Sequence, residues 1–168
     1  MENRHAVWAI LACYVTTAGA EPLTLLWLER AATFEGHLAF DVTSLSLPEA
    51  TALAKHKGSL TLAGLTVLSD EAAERLGQHQ GELILNSLTK LSDEAARSLA
   101  QSKGLLSLEG LHELTDDAAC ALAAHNGVVR LDGLESLPPS AAQAIGEQKG
   151  NATLILNRLK ALSDEAAE

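Results

Sequence analysis

The six residues Leu-Ser-Asp-Glu-Ala-Ala occur three times, at Leu68–Ala73, Leu91–Ala96 and Leu162–Ala167. A serine followed by two carboxylates puts a nucleophile type beside two acid–base types, which invites a search for hydrolytic chemistry. Three histidines, His56, His79 and His125, share one sequence column, and two of them on adjacent units could hold zinc. A third candidate is the pair Glu109 and Asp132. On neighbouring strands these carboxylates would stand about 5 Å apart and could take a cation or a basic side chain.

Each candidate also has a plainer reading. A catalytic site is not normally written once per repeat, and no unique histidine accompanies the Ser-Asp-Glu block. Ser102 and Gln148 break the histidine column and no Cys or Asp joins it; a histidine close to a helix C-terminus is favourable to the helix dipole. A calcium site needs about six to eight oxygens, and Arg130 is placed to neutralise part of the carboxylate pair. Cys13 and Cys120 lack metal-type spacing, and a lone Cys120 without a histidine partner is a bystander. The chain is therefore expected to be no enzyme and to hold neither metal nor cofactor.

These residues are positioned by a repeat. Gly58, Gly81, Gly104, Gly127 and Gly150 follow one another at 23 residues, and Gly36 lies 22 before Gly58. Leu60, Leu83, Leu106 and Val129 stand two residues after each Gly. Leu62, Leu85, Leu108 and Leu131 stand four after; Leu65, Leu88, Leu111 and Leu134 seven after; Leu68, Leu91, Leu114 and Leu137 ten after. Large aliphatics close the pattern at Leu76, Leu99, Leu122 and Ile145. Leu60-x-Leu62 has the alternation of a strand, whereas Ala73, Leu76 and Gly77 share one helical face. Each unit therefore reads as strand, turn, short helix and Gly, the Gly suiting a helix C′ position with positive φ. One unit cannot bury its leucines alone; stacked neighbours can.

Within that unit the Ser-Asp-Glu block is a helix start. Ser69, Ser92, Thr115 and Ser163 fall where an N-cap hydroxyl is wanted. Asp70-Glu71, Asp93-Glu94 and Asp116-Asp117 fall in the first turn, where negative charge meets the positive end of the dipole. Pro138-Pro139-Ser140 replaces the block in the fifth unit, and Pro is tolerated in a first turn. Ala and Gly on the inner helix face let helices approach closely. Strands stack about 4.8 Å apart and helices about 8–10 Å, so the array is expected to curve with its strands on the concave face.

The spacing Leu60-x-Leu62-x-x-Leu65-x-x-Leu68-Ser69-Asp70-x-x-Ala73-x-x-Leu76-Gly77 resembles the leucine-rich repeat family. It is closest to the cysteine-containing subtype of F-box proteins, in a short, bacterial-type 23-residue variant. Leu99-Ala100 restores that subtype's final Leu-Ala. Two departures stand out. Leu65, Leu88, Leu111 and Leu134 take the Cys or Asn position, which removes the family's ladder of polar side chains bonded to backbone. The unit is also about three residues short in the return from helix to strand. Over residues 37–168 the resemblance implies an α/β curved solenoid, or horseshoe, of about six repeats with a parallel sheet on its concave face, used mainly for protein recognition.

Composition narrows the partners. With 12 Lys and Arg against 22 Asp and Glu the net charge is −10, which argues against binding a phosphate backbone. All aromatics, Trp8, Tyr14, Trp27, Phe34 and Phe40, lie within the first 40 residues, so the array lacks the usual Trp and Tyr anchors of an interface. Residues 1–20 have the layout of a secretory signal peptide: Arg4, an apolar run Ala6–Val15, and Ala18-Gly19-Ala20 before a cut at Glu21. The run is too short to span a bilayer, which needs about 20 residues. The other reading of it is an apolar capping helix that stays in the protein. The first implies export to the periplasm, the cell surface or the medium; the second, a cytoplasmic protein. Residues 21–36 place Leu23, Leu26, Trp27 and Phe34 on helical spacing and are expected to cap the first strand. The last unit stops before its helix-face Leu, as in a fragment of a longer array, or one making end-to-end contact with another chain.

Function is then expected on the outward strand positions. These are Glu82, Leu105 and Val128 in one row, Ile84, Ser107 and Arg130 in the next, and Asn86, Glu109 and Asp132 in the third, with Asn157 continuing the third row after a two-residue insertion. Ile84, Leu105 and Val128 are the expected exposed apolar patch, flanked by Glu82, Glu109, Asp132 and Arg130. The face suits a protein partner that is basic and partly apolar. The alternative is a structural spacer in a larger secreted or surface protein.

Overall fold

The computed structural model describes residues 36–137, 139–140, 142–143 and 152–162. The signal-peptide reading of residues 1–20, the capping reading of residues 21–35, and the expectations for Ile145, Gln148, Gly150 and Ser163 lie outside the described residues.

Strands and short helices alternate along the chain. The order is β1 (Leu38–Asp41), α1 (Leu47–Leu53), β2 (Leu60–Ala63), α2 (Asp70–Leu76), β3 (Leu83–Ile84), α3 (Asp93–Leu99), β4 (Gly104–Ser107), α4 (Asp116–Ala123) and β5 (Gly127–Arg130), followed by β6 (Ser136–Leu137), β7 (Thr153–Ile155) and β8 (Ala161–Leu162). The protein is thus α/β, with a six-stranded sheet in the sequential order β1-β2-β3-β4-β5-β7 and a second two-stranded sheet, β6-β8. Every pairing is parallel, because each strand is followed by a crossover that returns the chain to the same end.

Register follows the sequence period. Leu60 pairs with Leu83, Leu83 with Leu106, and Leu106 with Val129. Leu38 pairs with Leu60, at the shorter first step, and Arg130 with Ile155, at the longer last one. The leucines of the pattern fill the space between sheet and helices. Leu60, Leu62, Leu65, Leu76, Leu83, Leu85, Leu88, Leu99, Leu106, Leu108, Leu111 and Leu122 are all fully buried. Leu91 and Leu114, at the turn into the helix, are only partly covered.

Helix starts are built as the block implies. Ser69, Ser92 and Thr115 are extended N-caps whose side-chain oxygens accept from the N–H of Ala72, Ala95 and Ala118, at 3.3, 3.1 and 3.1 Å. At α1 the Glu49 carboxylate also reaches back to the Ser46 N–H at 2.8 Å. The spacing Ser46-x-x-Glu49 allows this, and the later Asp-Glu pairs, one residue early, do not. Helices stack face to face through Ala72, Ala73, Ala95, Ala96, Ala118 and Ala119, all buried. A Cβ added at Gly77 would overlap the carbonyl of Ser98, so this helix contact is closer than any side chain permits.

The glycine that closes each unit has a different cause from the one expected. Helices α1 to α3 end several residues before it, with Ala54, Gly77 and Ala100 as right-handed C-caps. Of the closing glycines among the described residues, only Gly104, at φ 100°, is left-handed. What requires glycine is close approach: a Cβ on Gly81 would overlap the carbonyl oxygen of Gly58, and one on Gly127 that of Gly104. Gly81, Gly104 and Gly127 form a column in which each backbone lies against that of the preceding glycine.

Candidate functional site

The pairing places the outward residues in three rows along one face of the sheet. Leu105 lies beside Val128; Ile84 lies between Thr61 and Ser107; Ser107 lies beside Arg130. Asn157 continues the third row, its backbone N–H donating to Asp132 at 3.1 Å. Ile84, Leu105 and Val128 are half-buried rather than exposed, because neighbouring side chains in the rows cover part of each. Glu82 and Asn86 are exposed.

The charged end of the face is self-neutralised. Arg130 lies 3.4 Å from a Glu109 oxygen through one guanidinium nitrogen and 3.4 Å from Asp132 through the other. The same Glu109 oxygen accepts from the Ser107 hydroxyl at 3.1 Å, which leaves Ser107 buried although it stands on an outward row. The cradle expected between Glu109 and Asp132 is thus filled by a guanidinium. Among the described residues no group of three or more His, Cys, Asp or Glu could hold a metal ion.

Two candidate residues are engaged with backbone. Asn86 accepts from the Glu109 N–H at 3.4 Å through its side-chain oxygen, and two units on Asp132 accepts from the Asn157 N–H in the same way. Both therefore tie a strand end to the next unit. Glu82, Ile84, Leu105, Val128 and Arg130 remain as the side chains with surface to offer.

The histidine column is a correction. His56, His79 and His125 are buried rather than exposed at the helix ends. Each places Nε2 against the glycine carbonyl of the preceding unit: His56 to Gly36 at 2.9 Å, His79 to Gly58 at 3.0 Å, His125 to Gly104 at 3.0 Å. The Nδ1 of His125 also faces the Ala100 carbonyl, at 3.1 Å. Where the column holds Ser102, the hydroxyl donates to Leu99 at 2.7 Å instead. Leu65, Leu88 and Leu111 offer no polar ladder where strand passes to helix, and the histidines supply one at the opposite end of the crossover. The sequence signal was present: His lies two residues before the glycine at all three positions, a spacing too strict for loosely placed surface charge.

At Ser92 and Thr115 the start of the block is held by structural hydrogen bonds. The Ser92 hydroxyl donates to Asp70 and the Thr115 hydroxyl to Asp93, each reaching the preceding unit. With its oxygen accepting from its own helix and its proton committed to a carboxylate, the hydroxyl is fully engaged. Arg97 pairs with Glu94 at 2.7 Å and with Asp117 at 3.4 Å along the same exposed edge. Cys120 is half-buried, its thiol 3.8 Å from the Ser140 carbonyl. No helix among the described residues is long and apolar enough to cross a membrane. Compared with protein-family models, with curated proteins and with solved structures, the chain matches none.

Proposed function

We propose that the chain is a recognition scaffold of the leucine-rich-repeat type, binding another protein through the outward face of its sheet and catalysing no reaction. One observation carries this. Side chains that face the core, the helix starts and the return loops repeat from unit to unit, while the outward rows do not: Thr61, Ile84, Ser107 and Arg130 stand in one register. Stacking demands uniformity; a face left free to vary is where a particular partner is read.

The strand and helix spacings support a curved solenoid with this face on its inner side. The close contact at Gly77 moderates the curvature by holding two helices near one another. The partner is one with an apolar patch for Ile84, Leu105 and Val128 and a cation for Glu82, since Arg130 already serves Glu109 and Asp132. The test is an Ile84→Lys, Val128→Lys double variant, immobilised beside the wild type. It should lose the partner that the wild type captures while keeping the same thermal unfolding. Unchanged capture by a folded variant would remove this face from consideration.

A further inference from the structure

The buried histidines do more than bridge units. The rings of His56 and His79 are stacked, with centroids 6.0 Å apart and planes 16° from parallel. Each neutral ring has one N–H, and Nε2 directs it to a glycine carbonyl. The Nδ1 of His79 is buried with no hydrogen-bond partner, and the backbone of Gly58, Glu82 and Ala54 only partly offsets the cost of a buried charge on the ring. Among the described residues, the charged groups on the return loops packed against the pair are Lys55 and Lys57 beside His56, Glu82 after Gly81, and Lys103 after Ser102. All four are exposed to water.

We propose that the His56–His79 stack is an acid-sensitive joint between the first three units. Neutral, the two rings lie face to face and tie each return loop to the one before. A proton on His79 sets a charge against the stacked ring in a dry interior, and the loops separate to let water reach it. Burial holds His79 below its ordinary value of 6.5; the bond to Gly58 opposes this, and the neighbouring His56 adds to it. The unfolded ring takes up its proton near 6.5 and the folded ring only further down. The stabilisation is therefore whole above 6.5 and is lost as the pH falls from there through the folded value.

The sign separates this effect from general electrostatics. At a net charge of −10, proton uptake at the surface reduces self-repulsion and by itself favours the fold. The experiment is thermal unfolding of the full chain at about pH 7.5 and about pH 5.5. The wild type should melt about 3–6 °C lower at the acid pH. A His56→Ser, His79→Ser variant, which copies Ser102 at both positions, should lose at least half of that difference. An unchanged melting temperature in the wild type, or the same fall in the variant, would overturn the proposal. Should the variant not fold, NMR titration of the His79 ring in the wild type decides. A midpoint below 6.5 supports the joint and one at or above 6.5 overturns it.

Discussion

The chain joins its units along two edges, and the two are built from opposite chemistry. At the edge where strand passes to helix, Ser92 and Thr115 reach Asp70 and Asp93 among exposed carboxylates and Arg97. At the edge where helix returns to strand, His56, His79 and His125 reach glycine carbonyls in a buried column. The first edge lies in water and can carry full charge, so its polar groups repeat without cost. The second is dry, so its lateral bonds come from buried imidazoles, and its backbone is packed too tightly for a Cβ at Gly81 or Gly127. A repeat needs a lateral bond at each edge, and solvent access decides which side chain supplies it.

This contrast can be tested in order of size. The core shared by both edges sets the upper mark: Leu111→Ala should cost about 2–5 kcal/mol in chemical denaturation. Leu105→Ala, on the outward row, should cost less than about 1 kcal/mol. Equal costs would mean that the strands carry their leucines on the wrong face. At the dry edge, Gly81→Ala forces a methyl into the Gly58 carbonyl and should cost about 1–3 kcal/mol through backbone displacement. If Gly81→Ala is silent, the column of glycines is not closely packed. At the wet edge, Thr115→Ala removes a cap and a lateral donor together and should cost about 1 kcal/mol. Smallest of all, Arg97→Ala should change stability by under about 0.5 kcal/mol and by less still in high salt, its partners being exposed. A loss at Arg97 rivalling that at Gly81 would reverse the ranking of the two edges.

Much of this frame can be read in the residues alone, for definite reasons. Leu60-x-Leu62 and its copies state both the strand and its register, since a parallel sheet of identical units has no other way to align them. Ser69-Asp70 states a helix start because capping is a local act. Local rules say little about what lies one unit away. The glycine closing each unit fits a C-cap rule, while its true neighbour is the carbonyl of the previous glycine. His79 reads as a helix-end cation until its glycine acceptor, 21 residues earlier, is in view. On the outward face, Arg130 was expected near Glu109 and Asp132, and it spans both. That Asn86 and Asp132 would be spent on backbone N–H groups of the following unit was hidden by the same distance along the chain.

One oxygen in this scheme has a wider meaning. The Gly58 carbonyl takes the His79 proton and also lies where a side chain on Gly81 would stand. A single atom thus dictates two residue types two positions apart, in a unit that is not its own. Lineages that lengthen or shorten such a chain are therefore held to a rule of syntax. A segment that carries His-x-Gly must keep the two together and must find a glycine waiting in the segment before it. Duplication by whole periods obeys this rule automatically, whereas recombination at any other length would leave the pair without its counterpart.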